Sequence, residues 1–156
     1  MAAIAATVAW ERQEGEAFTD KKFSRGHQWS FDGGLSIRAS SSPDIVPRFS
    51  DPSGIDPEEA LVASLSSCHM LTFLWLAAIK GFIVNSYRDE ARGTMTKNAK
   101  GKLFVSTVTL KPQVAFGGEK HPDAATLASL HHDAHEECFV ANSVLTEIRI
   151  VPGETS

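Results

Sequence analysis

The chain has 156 residues, 42% apolar and 22% charged, with a formal net charge of −4 at pH 7. This size is typical of one domain with its own core, so we expect a single domain over residues 1–156. Lysines and arginines are scattered, which argues against nucleic acid or a membrane surface as a partner. Two cysteines and an N-terminus without basic residues are unlike a secreted disulfide scaffold, and we expect a cytoplasmic protein.

Short alternating stretches dominate the first third of the chain. Apolar and polar residues alternate in 6–11, 27–31 and 35–39, which predicts three strands. Asp32, Gly33 and Gly34 lie between the second and third stretches and predict a β-hairpin. The proline- and serine-rich residues 40–54 predict a loop.

Residues 55–81 predict a long central helix. Asp56 is a favourable N-cap, Pro57 suits the first helical position, and Glu59 completes a capping box. Gly81 is typical of a helix end. Apolar residues surround the second half, so we expect a helix buried on most sides. Polar residues within its uncharged run favour a core helix over a membrane span.

The remaining elements complete an α+β pattern. Residues 82–96 and 103–114 have β character and flank a turn at 98–101, which predicts a second hairpin. A second helix is predicted over 125–138 and a closing strand over 145–151. Because no strand–helix–strand repeat appears, we expect largely antiparallel sheets.

The two cysteines are the main chemical candidates. Cys68 lies within the central helix, and Cys138 lies on the apolar face of the second helix with Leu127, Leu130 and Ala134. Both could be inert core thiols, because free cysteine is among the most buried residue types. The small polar residues and the histidine around Cys68, in the sequence SSCHM, favour a reactive thiol instead.

A reactive thiol needs charged partners. A cation or hydrogen-bond donors must favour the thiolate, and Arg25, Arg38 and Arg48 are the candidate cations. An arginine also supports the charge that develops on peroxide oxygens as their bond breaks. A carboxylate commonly orients such an arginine, and Glu58 and Glu59 are candidates.

Two cysteine motifs resemble those of the OsmC/Ohr family. DPEEAL from Asp56, followed by SSC ending at Cys68, is similar to the family's central-helix motif. The run AHEECFVANS around Cys138 resembles its second-cysteine motif, and Arg25 upstream of a turn is similar to its arginine region. The similarity extends along nearly the whole chain. It implies an OsmC-like fold, with antiparallel sheets around a long buried helix and a second helix, in an intertwined homodimer.

The resemblance also implies a function. Members of the family are thiol-dependent hydroperoxide reductases that need no cofactor or metal and have active sites at the dimer interface. It implies that Cys68 attacks a small organic hydroperoxide, Cys138 forms the resolving disulfide, and a dithiol, with a lipoyl-type dithiol as one candidate, reduces it. Glu58 would orient Arg25. We expect the substrate to approach past Met70, Leu71, Phe73 and Trp75.

Helix geometry adds an independent constraint. Ten residues of straight helix span about 15 Å, which is too far for Glu58 to serve the arginine at its own Cys68. Either the first helical turn is distorted, or Glu58 acts together with a partner subunit. The second option agrees with an active site at the dimer interface.

Two alternatives remain open. The chain could be an OsmC-like binding or redox-sensing stress protein without peroxidase turnover. In the other, His131, His135 and Cys138 lie on one helix face and could ligate zinc. We expect that face to be polar and solvated rather than a metal site.

Overall fold

A computed structural model describes residues 3–153, and the α+β prediction is confirmed. The strands are β1 (Ala6–Ala9), β2 (His27–Phe31), β3 (Ser36–Ala39), β4 (Ile83–Asp89), β5 (Arg92–Lys97), β6 (Leu103–Leu110), β7 (Pro112–Gly117) and β8 (Glu147–Ile150). The helices are α1 (Pro57–Ile79), α2 (Ala124–Glu137) and a short 3-10 helix (Ala141–Ser143). The chain divides into two compact units, Met1–Ala60 and Leu61–Ser156, so the expected single domain stays a prediction.

The first unit contains an antiparallel sheet in the order β1–β2–β3. The predicted hairpin joins β2 to β3, and its turn is closed by the Gly34 N–H, which donates to the carbonyl of Phe31 at 3.0 Å. Gly34 has φ +89°, a conformation that glycine adopts without a steric penalty. The sheet is accompanied by an aromatic group in which Phe18 stacks on Phe23 with ring centroids 4.4 Å apart.

Helix α1 begins where the capping box predicts. The Glu59 N–H donates to the Asp56 carboxylate at 2.7 Å, and the Asp56 N–H donates to Glu59 at 3.2 Å. Gly81, with φ +80°, follows the helix end. By length and composition alone α1 is also long and apolar enough to cross a membrane, as core helices of soluble proteins often are.

The expectation that α1 is buried on most sides is wrong for the single chain. The fully buried residues form one stripe, at i, i+4, i+8 and i+12: Leu65, His69, Phe73 and Ala77. On another side Leu71, Trp75 and Ile79 are each at least 60% exposed. The other elements of the chain cover only one stripe, and the apolar pattern alone does not show which side is covered.

The second unit has two separate sheets, β4–β7 and β5–β6–β8. The predicted hairpin is confirmed for β5 and β6, whereas β8 pairs with β6 in parallel. The stretches 82–96 and 103–114 each form two strands rather than one. Their breaks meet where the Asp89 carboxylate accepts a hydrogen bond from the Lys111 N–H at 2.6 Å.

Helix α2 packs against α1 and the β4–β7 sheet. Asp123 caps it by accepting a hydrogen bond from the Thr126 N–H at 2.7 Å. Leu130 and Ala134 are fully buried in a cluster with Phe73 and neighbouring aromatic residues. Cys138 is the C-cap residue, one position beyond the helix, and is also buried. The predicted apolar face of α2 is therefore confirmed.

Candidate functional site

A cleft of about 430 Å³ lies in the first unit. Its lining combines apolar and aromatic side chains with a few polar groups: Val8, Trp10, Phe18, Phe23, Arg25, His27, Ser40, Ser41, Ser42, Ile45, Pro57 and Glu58. Mostly apolar clefts with a few polar groups are the usual form of small-molecule sites. The predicted residues Arg25 and Glu58 thus lie in the wall of one cleft.

Backbone groups hold the Arg25 guanidinium in place. Nη2 donates to the Lys21 carbonyl at 3.1 Å, and Nη1 donates to the Phe23 carbonyl. The guanidinium carbon lies 3.6 Å from the centre of the Phe23 ring, a cation–π contact. These contacts use two of the five N–H donors of arginine, which leaves donors for a ligand.

Glu58 does not form an ion pair with Arg25 among the residues that the structure describes. Glu58 lines the cleft, whereas Glu59 is used in the capping box. Of the other candidate cations, Arg38 pairs with Asp51, and Arg48 is exposed outside the cleft. Of the candidate charged residues, Arg25 and Glu58 are therefore the two that line the cleft, but no ion pair between them is present among the described residues.

His27 is a cleft residue that the sequence did not single out. Its Nε2 accepts a hydrogen bond from the Trp29 indole at 3.0 Å, so its Nδ1 carries the proton and donates to the Arg25 carbonyl at 2.8 Å. This chain of hydrogen bonds fixes the tautomer of His27. The ring is half-buried and lines the cleft beside Arg25.

The second unit brings the two cysteines together. Cys68 is half-buried on α1, and Cys138 is 1% exposed after the end of α2. The pKa of the Cys138 thiol is raised to about 11, mainly by burial and also by the neighbouring Cys68 thiol. The two thiols differ in accessibility, with Cys68 the more open and Cys138 protonated near neutral pH.

A buried histidine pair joins the same two helices. His69 and His131 are 1% and 2% exposed, and His69 Nε2 lies 3.0 Å from His131 Nδ1. The pKa of His69 is lowered to about 4, mainly by burial and also by the nearby His131 and His135, against a smaller opposing effect of Asp89. Burial likewise lowers the pKa of His131 to about 4. Both rings are neutral near neutral pH.

The position of His131 corrects the expectation of a solvated face on α2. Residues 127, 131, 134 and 138 follow helical spacing, so His131 lies on the same apolar face as Cys138. Among the described residues, no three His, Cys, Asp or Glu side chains are grouped so that they could hold a metal ion. The arrangement of His131, His135 and Cys138 therefore gives no geometric support for zinc.

Comparison with known proteins identifies the family. The sequence profile of the family described as OsmC-like protein matches residues 50–152, about two thirds of the chain. The chain belongs to the OsmC-like protein family. A search of curated proteins by sequence finds no match.

Solved OsmC-like structures extend the similarity to the whole chain. An OsmC-like protein of unknown function from Vibrio cholerae is 51% identical, with a TM-score of 0.96, and the match covers 98% of this chain and 100% of that one. The organic hydroperoxide resistance protein OhrB of Bacillus subtilis is 17% identical, with a TM-score of 0.65 over 96% and 98% of the two chains. The second similarity is one of fold. Two helices with antiparallel and mixed sheets match the OsmC/Ohr fold, which is that of a soluble protein family.

Proposed function

We propose that this OsmC-like protein is a thiol-dependent peroxidase that reduces organic hydroperoxides to alcohols. The observation that carries the proposal is the neighbouring pair of thiols with unequal burial. Cys68 is the more accessible nucleophile. Cys138, with its pKa raised to about 11, keeps its proton until a sulfenic acid forms beside it.

The proposed cycle has three steps. The Cys68 thiolate attacks the terminal oxygen of ROOH, the O–O bond breaks, and the alkoxide takes a proton to leave as ROH. The Cys138 thiol then condenses with the Cys68 sulfenic acid to give a disulfide and water. Finally an external dithiol, with a lipoyl-type dithiol as one candidate, is oxidised as it restores both thiols.

The cleft in the first unit supports a small, largely apolar substrate. Its walls are mainly apolar and aromatic, and Arg25 supplies positive charge and free N–H donors. Donors aimed at an oxygen that gains charge lower the barrier to its departure. Phe73, which we expected along the substrate path, is fully buried in the core and has no place there.

The helix geometry supports a homodimer with shared sites. Helix α1 has regular helical structure from Pro57, so the alternative of a distorted first turn is removed. The ten residues from Glu58 to Cys68 correspond to about 15 Å of helix. We therefore propose that Arg25 and Glu58 of one subunit act in the same active site as Cys68 of a second copy. The exposed apolar residues of α1 are candidates for the contact between copies.

The remaining parts of the proposal follow from the resemblance to the OsmC/Ohr family. The protein would act in the cytoplasm, without a cofactor and without nucleic acid or membrane as a partner. We propose that it takes part in the response to oxidative stress, because solved structures with this fold include proteins named for organic hydroperoxide resistance.

A second candidate is a binding or redox-sensing protein without turnover. It is favoured by the absence, among the described residues, of an ion pair between Arg25 and Glu58, since the guanidinium is held by backbone carbonyls instead. In this case the apolar cleft holds a ligand, and the thiols report the redox state of their surroundings.

Intact mass after one equivalent of cumene hydroperoxide tests the proposal. We expect reduced protein to lose two hydrogen atoms, and we expect Cys68→Ser and Cys138→Ser to prevent the loss. Repeated consumption of hydroperoxide with dihydrolipoamide as reductant then establishes turnover. An unchanged mass with both thiols free would reject the peroxidase, and a disulfide without turnover would favour the redox sensor.

A further inference from the structure

The buried histidine pair has no part in the cycle described above. His69 immediately follows Cys68 on α1, and His131 lies on the face of α2 that ends at Cys138. Both rings are almost completely buried, and His131 also stacks on Phe73 with ring centroids 4.4 Å apart. Buried polar groups cost free energy unless they are hydrogen-bonded, so two imidazoles in an apolar core need a hydrogen bond that offsets the cost of their burial.

The hydrogen bond between the rings is specific in geometry. His69 Nε2 and His131 Nδ1 are 3.0 Å apart, and the ring planes differ by only 7°. In the neutral pair one of these two nitrogens carries the proton and donates, and the other accepts. The bond forms whichever of the two is the donor. The other nitrogens, His69 Nδ1 and His131 Nε2, have no hydrogen-bond partner within residues 3–153. The contact between the rings is thus the one protein hydrogen bond that orients them there.

The same two segments carry the thiols. Cys68 and His69 are consecutive on α1, while His131 and Cys138 are separated by two helical turns on α2 and its C-cap. An apolar contact allows neighbouring helices to slide, whereas a hydrogen bond weakens steeply when its angle or length changes. The histidine bond therefore restrains α1 and α2 in the register that places Cys68 next to Cys138.

We propose that His69 and His131 are positioning residues, whose hydrogen bond holds α1 and α2 so that the Cys68 and Cys138 thiols remain within reach of each other. The inference deepens the proposed function, on which it rests for its biological use. Disulfide formation itself can be tested without peroxide. Glutathione disulfide oxidises the two thiols to one disulfide and is reduced to two molecules of glutathione.

The test measures the effective concentration of the thiol pair in glutathione redox buffers. The double variant His69→Leu and His131→Leu removes both polar groups and retains apolar volume. We expect it to form the Cys68–Cys138 disulfide with an effective concentration about tenfold below that of the wild type, the effect of about 1.4 kcal/mol. His69→Gln, whose amide can reach the position of Nε2, should remain within about twofold of the wild type.

A matched control separates positioning from general stability. Leu110→Ala lies in the other core cluster, with Leu65 and Val108, and should lower the melting temperature without changing the effective concentration. His131→Phe keeps a ring against Phe73 and should show the same loss as the double variant, so it replaces that variant if the latter does not fold.

Three outcomes would overturn the inference. The first is that the wild type forms no Cys68–Cys138 disulfide. The second is that the double variant has the same effective concentration as the wild type. The third is that Leu110→Ala lowers the effective concentration as much as the double variant does. Failure of the proposed function is distinct from these. It would appear as absent hydroperoxide turnover in a wild-type protein that still forms the disulfide in glutathione buffer, with the effective concentration lowered as expected in the double variant His69→Leu and His131→Leu.

Discussion

The two units hold their candidate residues in different ways. In the first unit, Arg25 is held by the carbonyls of Lys21 and Phe23, only four and two positions away. In the second, Cys68 and Cys138 are neighbours although seventy positions separate them. The arginine depends on a local loop conformation, whereas the thiols depend on the packing of two helices. The first region should therefore tolerate changes at the contact between α1 and α2 that disturb the second.

The largest expected effect comes from removing the nucleophile in the second region. Cys68→Ser should reduce hydroperoxide turnover to background, because a serine hydroxyl is not ionised near neutral pH. Cys138→Ser should differ in kind, with one rapid oxidation followed by over-oxidation of Cys68. Peroxide consumption and intact mass measure both. Turnover retained by Cys68→Ser would exclude Cys68 as the nucleophile.

A smaller loss is expected from the first region. Arg25→Met keeps a long side chain but removes the charge and donors, and turnover should fall about 100-fold, as for other donors to a developing oxyanion. The matched control is Arg38→Met, because Arg38 pairs with Asp51 on the surface instead of lining the cleft. Initial rates over a range of hydroperoxide concentrations measure both. Equal losses in the two variants would remove the special role of Arg25.

Subunit association should respond to the exposed face of α1. Trp75, which is 64% exposed in the single chain, is expected to contact a second copy. Trp75→Glu should therefore raise the dissociation constant of the homodimer about tenfold or more, because it would bury a charge in the contact. Sedimentation velocity over a range of concentrations measures the shift. Leu103→Glu, at a 57% exposed residue of β6, is the control and should leave the dimer intact. A wild-type protein that sediments as a monomer at all concentrations would contradict the proposed active site shared between two subunits.

The last expected effect concerns stability instead of activity, and it is a pH dependence in the second region. Folding lowers the pKa of His69 and His131 from 6.5 to about 4, so the unfolded chain binds more protons between these values. The stability that the neutral pair contributes is complete above pH 6.5 and is lost as the pH falls toward 4. Each histidine accounts for at most about 1.4 kcal/mol per pH unit.

Urea unfolding at pH 7 and pH 5 measures this dependence. The variant His69→Leu and His131→Leu serves as the control, because it lacks both titrating groups, and its stability should change less between the two pH values. Equal changes in the two proteins would mean that the histidines do not titrate on unfolding. Cleft residues such as Arg25 should have little influence on the difference.

Sequence alone predicted the elements whose signals are local. The capping box at Asp56 and Glu59 predicted the start of α1, through hydrogen bonds that span only three residues. The stretch 125–138 predicted α2, whose observed cap at Asp123 is equally local. The break at Lys111 was missed because the alternation continues through it, although the strands on its two sides join different sheets. Arg25 and Glu58 were named from the sequence, but their common cleft was not.

By itself the sequence determined that Cys68 lies within a long apolar helix and that Cys138 follows the apolar face of a second helix, because residue spacing fixes which positions share a helix face. Only the tertiary structure decided that His131 is buried against His69, sixty-two positions away, and that Leu71 and Trp75 are exposed. The physical reason is that caps and faces are set within one or two helical turns. Burial instead depends on which distant element covers each face, and when apolar residues surround a helix, as in the second half of α1, their spacing does not show which face is covered.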